Sequence, residues 1–230
     1  NKMLHIDLTT GQLRDEAVDA TYASRFVGGS GLAARYAYNL VDESTDPLGP
    51  ENPLIFMTGP LVGTAMPSAG RYSVCALSPA TGIWGEANAG GFFGPELRFA
   101  GYDGVIVTGQ AEQPVWLSIV EGEAALHDAA AIWGLDSYET QDRVRALLDE
   151  PRARVACIGP AGEHRALMAA VMNDHGRAAG RTGMGAVMGA KGLKAIGVRG
   201  TASVPLADEA AFKAVVREIL ADLDEDVAAM

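Results

Sequence analysis

The chain is poor in the residues that bind metals and form disulfides. Its 230 residues include two cysteines and four histidines. Cys75 and Cys157 each stand alone in an apolar run, without a Cys-x-x-Cys partner or a neighbouring histidine cluster, so we expect buried, reduced thiols. Neither a metal-ligand spacing nor the residue order of a catalytic triad is present. This cysteine usage favours a cytoplasmic protein.

Two further absences exclude classes of function. No uninterrupted apolar run reaches the roughly 18 residues of a membrane span, and the N-terminus lacks the charged, apolar and small residues of a signal peptide. Basic residues are outnumbered, with 18 Lys and Arg against 29 Asp and Glu, for a net charge of -11. An acidic chain is a poor partner for nucleic acid. We therefore predict neither a membrane nor a nucleic-acid partner.

Glycine, in contrast, is abundant, with 28 residues, and its densest run is NDHGRAAGRTGMGAVMGAKG at Asn173–Gly192. Such a run predicts irregular backbone that closely approaches a ligand, followed by a helix around Gly185–Ala190. Arg177 and Arg181 offer planar guanidinium groups for phosphate or carboxylate oxygens. A glycine-rich turn before a tightly packed helix is the alternative.

A second segment has the same plan. Arg71 precedes a glycine-rich elbow at Asn88–Gly91, a short helix and a strand, and the two Gly-Pro pairs stand at Gly59 and Gly159. The closing strands share the pattern G-x-x-x-[VI]-x-V-x-G, at Gly101–Gly109 and Gly192–Gly200. We expect an internal duplication, about 54–109 and 155–200, of one β-α-β unit about a pseudo-twofold axis. The elbows would then converge on a ligand with two similar halves, unless the similarity of these short runs is due to chance.

The remaining elements favour packed sheets. We predict a hairpin at 3–10 and 12–18, a helix over 19–40 broken at Gly28–Gly31, a strand at 54–58, and a hairpin at 115–120 and 124–127. Asp136 and Glu139 form a capping box for a helix, whose predicted inward residues are Tyr138, Val144, Leu147 and Leu148. Because strands outnumber helices and arrive in groups, the fold class is α+β, with helices on the outer faces of the sheets.

The tail over 207–225 is an amphipathic helix, and its apolar face is formed by Phe212, Val215, Val216, Ile219, Leu220 and Leu223. An apolar face needs a partner surface. We therefore expect two domains, 1–205 and the start of a truncated helical second domain at 206–230. Docking of the helix back onto the first domain is the alternative.

Two glycine motifs resemble nucleotide sites. GSGLAA at Gly29–Ala34 matches a dinucleotide fingerprint, but a helix rather than a strand is predicted before it. GAVMGAKG at Gly185–Gly192 is similar to a P-loop, but Ala190 stands where a glycine is needed and Gly192 where a hydroxyl should bind Mg²⁺.

The chain as a whole resembles the N-terminal domain of the tungsten-containing aldehyde:ferredoxin oxidoreductases. The matching blocks follow one another from about Met3 to Pro205: DLTTG, GGSGLA, STDPLGPENPLI, GPLVGTAMPSAGRY, NAGGFFGPELRFAGYDGVIVTG, IWG, IGPAGE and MNDHGRAAGRTGMGAVMGAKGLKAI. The resemblance implies that residues 1–205 bind a bis-pterin tungsten or molybdenum cofactor whose dithiolene sulfurs hold the metal. No catalytic residue of this domain follows from it.

The resemblance also implies the site residues. The main-chain carbonyls of Asn88 and Ala178 would bind a Mg²⁺ that bridges the pterin phosphates, since hard oxygen ligands suit Mg²⁺. Contacts to the pterins and phosphates would come from Arg71, Gly90, Arg177, Gly180 and Arg181.

The implied reaction is the oxidation of an aldehyde to a carboxylic acid, with electrons leaving through a [4Fe-4S] cluster to ferredoxin. The cluster ligands and the substrate pocket would belong to missing C-terminal domains, so we expect the chain alone to be inactive. A divergent member with another substrate, such as an aromatic ring for reduction, an unrelated Mg²⁺-nucleotide module and a scaffold without cofactor are the alternatives. The choice of metal, the substrate and the oligomeric state, a homo-oligomer included, are left open.

Overall fold

A computed structural model describes the backbone of residues 1–228 and the side chains of residues 1–223. The strands are β1 (Lys2–Asp7), β2 (Gln12–Ala17), β3 (Leu54–Thr58), β4 (Tyr72–Leu77), β5 (Trp84–Ala89), β6 (Gly104–Thr108), β7 (Val115–Val120), β8 (Glu123–Asp128), β9 (Arg154–Cys157), β10 (Val171–Asn173), β11 (Arg177–Ala179) and β12 (Leu193–Arg199). The helices are α1 (Ala20–Phe26), α2 (Gly29–Ala37), α3 (Phe93–Phe99), α4 (Ser137–Leu148), α5 (Pro160–Glu163), α6 (Met184–Ala190) and α7 (Glu209–Ala228).

The strands form two six-stranded mixed sheets with the same topology. The first sheet has the order β2-β1-β6-β3-β4-β5 and the second has the order β8-β7-β12-β9-β10-β11. The first half of the chain supplies β1 to β6 and the second half supplies β7 to β12. In the first sheet β1 pairs in parallel with β6, and in the second sheet β7 pairs in parallel with β12, whereas the other neighbours are antiparallel. The predicted α+β fold with two repeats is confirmed, and the repeated topology also includes the hairpin that opens each half.

The largest apolar core lies between the two sheets. It contains inward residues of both sheets together with Phe93 and Leu97 of α3 and Met184, Val187 and Met188 of α6. Each of these helices contacts strands of the opposite half, α3 against β9 and β12 and α6 against β4 and β5. The outer faces are covered by α2 on the first sheet and α4 on the second. Helices thus lie on the outer faces, as predicted, and α3 and α6 additionally lie between the sheets.

Helix α4 begins at the predicted capping box, but the prediction of its inward face was partly wrong. Asp136 and Glu139 cap each other's backbone amides, and Val144 is buried. Tyr138 and Leu147 are instead exposed, and Thr140 and Gln141 take the inward positions. These polar side chains can be buried because Thr140 Oγ1 and Gln141 Nε2 donate to backbone carbonyls of the preceding turn.

The glycine-rich run at 173–192 is more regular than predicted. It contains the short strand β11 and the helix α6, so that only two tight turns, at 174–176 and 180–183, separate regular elements. Asp174, His175, Thr182 and Gly183 have positive φ in these turns. The run therefore folds as a strand hairpin followed by a buried helix.

The C-terminal helix α7 docks only in part. Phe212 lines a groove together with Gly63–Ala65, Phe99, residues 201–204 and Leu206, and Val216 is buried. Val215, Leu220 and Leu223 remain between 44% and 47% exposed. Part of the predicted apolar face is thus covered by earlier residues of the chain. Across the described helices, α7 included, none combines the length and apolar character required to cross a bilayer.

Candidate functional site

A cleft of about 610 Å³ opens where the terminal strands of the two sheets meet. β5 ends the first sheet, β11 ends the second, and the two strands contact each other. The cleft is lined by Arg71, Trp84, Glu86, Ala87, Asn88, Ala178, Gly180, Arg181 and Thr182. The two predicted elbows therefore converge on one site.

The strand registers show which residues of the two halves are equivalent. Gly104 and Ala195 hold the same place in the pattern that the two closing strands share, Gly101–Gly109 and Gly192–Gly200. Gly104 pairs with Met57 in the first sheet, and Ala195 pairs with Cys157 in the second. Following the pairing outward, Met57 leads through Ser73 to Asn88, and Cys157 leads through Met172 to Ala178. Asn88 and Ala178 thus occupy the same position in the two halves, and Gly90 and Gly180 follow two residues later.

The three arginines of the candidate site are exposed at the surface. Within the described residues, none of the guanidinium groups of Arg71, Arg177 and Arg181 makes a hydrogen bond or an ion pair. By the same register they are not equivalent to one another, because Arg71 corresponds to Ala170 and Arg181 to Gly91. In a chain with a net charge of -11, this cluster provides local positive charge and free donors for an anion.

The structure brings most of the predicted site residues together. Arg71, Asn88, Ala178, Gly180 and Arg181 line the cleft, whereas Gly90 and Arg177 flank it without lining it. His175, a histidine within the glycine-rich run, does not line the cleft; its ring lies 5.5 Å from that of Tyr138 on α4, and its Nε2 lies 3.1 Å from Asp142 Oδ1.

Four lining residues were missed by the sequence analysis: Trp84, Glu86, Ala87 and Thr182. Glu86 shares the exposed face of β5 with Asn88, because residues two apart on a strand point the same way. The alternation of polar Glu86 and Asn88 with small residues in the segment WGEANA is the sequence signal that could have identified it. Thr182 has a φ of 60°, which the sequence does not indicate.

Gly90 and Gly180 have no evident role in packing. A Cβ at Gly90 would meet nothing within 4 Å, and one at Gly180 would meet only the Ala178 side chain, at 3.7 Å. Neither residue is among those with positive φ. Their lack of side chains instead leaves open space beside the arginines, as a large ligand that approaches the backbone requires.

The donor set of the cleft suits a ligand with phosphate groups. Guanidinium groups and close backbone approach bind phosphate oxygens, so these residues fit the phosphate groups of the expected pterin cofactor. Among the described residues, no three or more His, Cys, Asp or Glu side chains are grouped to hold a metal ion. Cys75 and Cys157 are buried free thiols, as predicted, and burial raises the pKa of each to about 12.

The two motifs that resemble nucleotide sites are part of the framework. GSGLAA lies in α2, directly after α1 rather than after a strand. GAVMGAKG forms the buried helix α6, where a Cβ at Gly189 would lie only 1.9 Å from the carbonyl oxygen of Gly162. Lys191 is buried, and its Nζ donates to the carbonyls of Pro50 and Gly109 at 3.1 Å each. Neither motif presents its backbone to a nucleotide.

Comparison with known proteins identifies the family. The family model for the N-terminal domain of aldehyde ferredoxin oxidoreductase matches residues 3–200. The chain is 45% identical over 225 residues to a tungsten-containing aldehyde ferredoxin oxidoreductase of Pyrococcus furiosus, and 44% identical to that of Thermococcus kodakarensis. In both comparisons 98% of this chain matches, and it spans 37% of the length of the relative.

More divergent relatives share the same domain. The WOR-like subunit of an aliphatic sulfonate oxidoreductase of Pyrococcus furiosus is 33% identical, matching 96% of this chain and 38% of that protein. The solved active-site complex BamBC of benzoyl coenzyme A reductase, in complex with 1,5-dienoyl-CoA, superposes with a TM-score of 0.95 at 37% identity. It covers 97% of this chain and 34% of the BamBC chain. From the cleft between two repeated sheets, the family match over 3–200 and these relatives, we conclude that the chain belongs to the aldehyde ferredoxin oxidoreductase family and represents its N-terminal domain.

Proposed function

We propose that this chain is the cofactor-binding N-terminal part of a tungsten or molybdenum bis-pterin oxidoreductase. The whole enzyme would oxidise aldehydes to carboxylic acids and pass electrons through a [4Fe-4S] cluster to ferredoxin. The relatives named tungsten-containing aldehyde ferredoxin oxidoreductase, at 44% to 45% identity, support this assignment. When bound, the cofactor supplies the two-electron redox chemistry.

One observation carries the proposal: a cleft between two equivalent strand ends that is lined by unpaired arginines. Asn88 and Ala178 hold equivalent positions on β5 and β11, so one ligand with two similar halves can meet similar backbone on both sides. Arg71 and Arg181 lie on the same cleft and can each form charge-assisted hydrogen bonds with phosphate oxygens.

Within this site we assign each residue a role in binding. The carbonyl oxygens of Asn88 and Ala178 would hold a Mg²⁺, because this ion prefers hard oxygen ligands. Arg71, Arg177 and Arg181 would neutralise the phosphates of the cofactor, and Gly90 and Gly180 would allow the pterins to approach the backbone. No residue of this chain is assigned a catalytic role.

The electron path requires residues outside this sequence. A [4Fe-4S] cluster is held by four cysteine thiolates, whereas the chain contains two cysteines, both buried with raised pKa. We therefore propose that the C-terminal domains of the same polypeptide hold the cluster and the substrate pocket, and that the 230 residues alone do not catalyse the reaction. Cytoplasmic location stays a prediction.

A different substrate within the same family is the second candidate. Its support is the likeness to BamBC, named for a benzoyl coenzyme A reductase. An N-terminal domain shared at 33% to 45% identity by relatives with different printed substrates does not by itself select one of them.

The proposal is tested by elemental and pterin analysis of the complete gene product purified without oxygen. We expect near-stoichiometric tungsten or molybdenum, a fluorescent pterin after oxidative release, and about four irons per polypeptide. Turnover of an aldehyde panel with a viologen acceptor then separates an aldehyde oxidase from a ring-reducing member, which would act on an aromatic coenzyme A thioester instead. A folded protein that contains neither heavy metal nor pterin would contradict the assignment.

A further inference from the structure

A buried hydrogen-bond network connects the first elbow, Asn88–Gly91, to the residues just before the second elbow, Arg177–Gly180. Asn173, the last residue of β10, is fully buried. Its Nδ2 donates to the carbonyl oxygen of Gly90 at 2.9 Å, and its Oδ1 accepts from the hydroxyl of Tyr72 at 3.1 Å. Gly90 and Tyr72 belong to the first half, while Asn173 belongs to the second. One side chain thus connects the second half to the first elbow, at Gly90, and to the adjacent strand β4, at Tyr72.

The next residue extends this connection. Asp174 Oδ2 accepts from the backbone N–H of Phe92 at 2.6 Å and from Asn173 Nδ2 at 2.7 Å. Its other oxygen accepts from Arg154 Nη1 at 3.2 Å, and the Arg154 guanidinium lies over the Phe92 ring at 4.7 Å. A charged acceptor with 10% side-chain exposure makes the bond to Phe92 N–H stronger than one between neutral groups.

The first elbow is shaped to receive this carboxylate. Gly91 has a φ of 91°, and a Cβ there would lie 2.3 Å from Asp174 Oδ2. Any side chain at this position would displace the carboxylate as well as strain the backbone. The close approach of Gly91 to Asp174 therefore follows from the absence of a side chain.

The network has no counterpart on the opposite side. In the register that aligns the halves, Asn173 pairs with Ala156 and its equivalent Val74 pairs with Phe56, and Val74 is a buried apolar residue. The second elbow begins three residues after Asp174, at Arg177. The same stretch of chain that holds Gly90–Phe92 therefore also sets the position of Arg177–Gly180.

We propose that Asn173 and Asp174 are positioning residues of the cofactor site, which hold the first elbow at a fixed distance from the second. They act through Gly90–Phe92 and do not themselves line the cleft. The inference rests on the proposed function of the cleft. It predicts that loosening this network lowers the affinity for a ligand that must contact both elbows at once. In the loosened protein the first elbow would have to become ordered on binding, and the free energy that this costs would be subtracted from the binding free energy.

The test compares Asp174→Ala and Asn173→Ala with Glu96→Ala in the full-length enzyme. Glu96 is a matched control, since its side chain is also 10% exposed and also joins the two halves, through Arg199 Nη1 at 2.7 Å and the N–H of Gly200 at 3.0 Å. All three variants should lower the melting temperature. Only the Asn173 and Asp174 variants should in addition lose pterin and metal, several-fold relative to wild type. Asp174→Asn, which keeps an acceptor for Phe92 N–H, should retain most of the cofactor.

Hydrogen exchange of the elbow gives a second readout that does not depend on cofactor. In Asp174→Ala the Phe92 amide should exchange about tenfold faster or more, as expected for the loss of a hydrogen bond to a charged acceptor. Unchanged cofactor content in Asp174→Ala, or an equal loss in Glu96→Ala, would overturn the positioning role. If wild type itself holds no pterin, the proposed function fails and the positioning role with it, while faster exchange at Phe92 would still identify the hydrogen bond.

Discussion

At the scale of single residues, the cleft brings together arginines whose guanidinium groups have no partner among the described residues. Several arginines elsewhere are engaged, for example Arg199 with Glu96 and Arg154 with Asp174. Arg71 and Arg181, in contrast, face the cleft without a partner among the described residues. Such groups contribute little to folding because water already solvates them, but they can contribute strongly to binding an anion.

We predict that Arg71→Ala reduces cofactor content more than stability. The substitution removes charge-assisted hydrogen bonds between the guanidinium group and a bound phosphate, each worth about 1.5 to 3 kcal/mol. An exposed side chain, in contrast, contributes little to folding. Metal and pterin content of the purified full-length variant should fall at least about tenfold, with a melting temperature close to that of wild type. Arg143→Ala, which removes an exposed arginine from α4, is the control. Full metallation of Arg71→Ala would contradict the assigned role.

At the scale of elements, the segment from β11 to α6 uses its glycines in two ways. Gly189 permits α6 to pack against α5, since a Cβ there would overlap the Gly162 carbonyl. Gly180, at the end of β11, borders open space in the cleft. The sequence shows both as members of one glycine-rich run, and only the packing separates a structural glycine from one that faces a ligand.

This difference predicts opposite outcomes for two identical substitutions. Gly189→Ala should destabilise the protein by about 1 to 3 kcal/mol or more, because the helices must move apart, and urea denaturation measures the loss. Gly180→Ala should leave the unfolding midpoint nearly unchanged and lower the pterin content instead, since the methyl group occupies space beside the cleft. Gly176→Ala, in a turn where a Cβ meets nothing within 4 Å, is the control for both. Equal stability of Gly189→Ala and Gly176→Ala would refute the packing argument.

The elements that the sequence predicted well are those with strong local signals. Alternation and turn residues predicted both hairpins, and the capping box predicted the start of α4. The inward face of α4 was partly wrong because the burial of Thr140 and Gln141 depends on hydrogen bonds, including one from the His175 N–H to Gln141 Oε1 at 3.1 Å. Sequence periodicity counts apolar residues only, so it cannot predict a polar inward face.

At the scale of the whole molecule, the two halves are joined by polar as well as apolar contacts. Lys191, at the end of α6, donates to two carbonyls of the first half, Pro50 and Gly109. Burial lowers its pKa from 10.5 to about 8, although the nearby carboxylates of Glu51 and Asp7 oppose this shift. The resemblance of GAVMGAKG to a P-loop did not indicate this role. The role depends on two contacts between distant parts of the chain, with sequence separations of 82 for Gly109 and 141 for Pro50.

The lowered pKa of Lys191 predicts a pH-dependent stability. Between about pH 8 and 10.5 the unfolded chain binds more protons at this lysine than the folded chain does, so the contribution of Lys191 to the unfolding free energy rises with pH in this window. Urea denaturation at pH 8 and pH 10 should therefore show a more positive slope for wild type than for Lys191→Met. The thiols of Cys75 and Cys157, whose pKa values are raised from 9.0, make the unfolding free energy fall with pH above about pH 9. Both proteins contain these thiols, so their contribution cancels in the comparison of the two slopes.

An exposed lysine provides the control for this comparison. Lys213→Met removes a side chain with 59% exposure from α7 and should leave the slope of wild type unaltered. If Lys191→Met and wild type show the same slope, burial does not lower the pKa of Lys191 in the folded protein.

The crossed packing of α3 and α6 determines what each half could do alone. Because each helix covers strands of the opposite half, a chain divided between β6 and β7 would give two pieces that each expose half of the central core. Neither piece could be stable until it met the other, and a single piece present in two copies could satisfy the same contacts only as a symmetric dimer. The cleft, built from one strand end of each half, would form only on that association, so that in this architecture folding, pairing of the halves and creation of the ligand site are one and the same event.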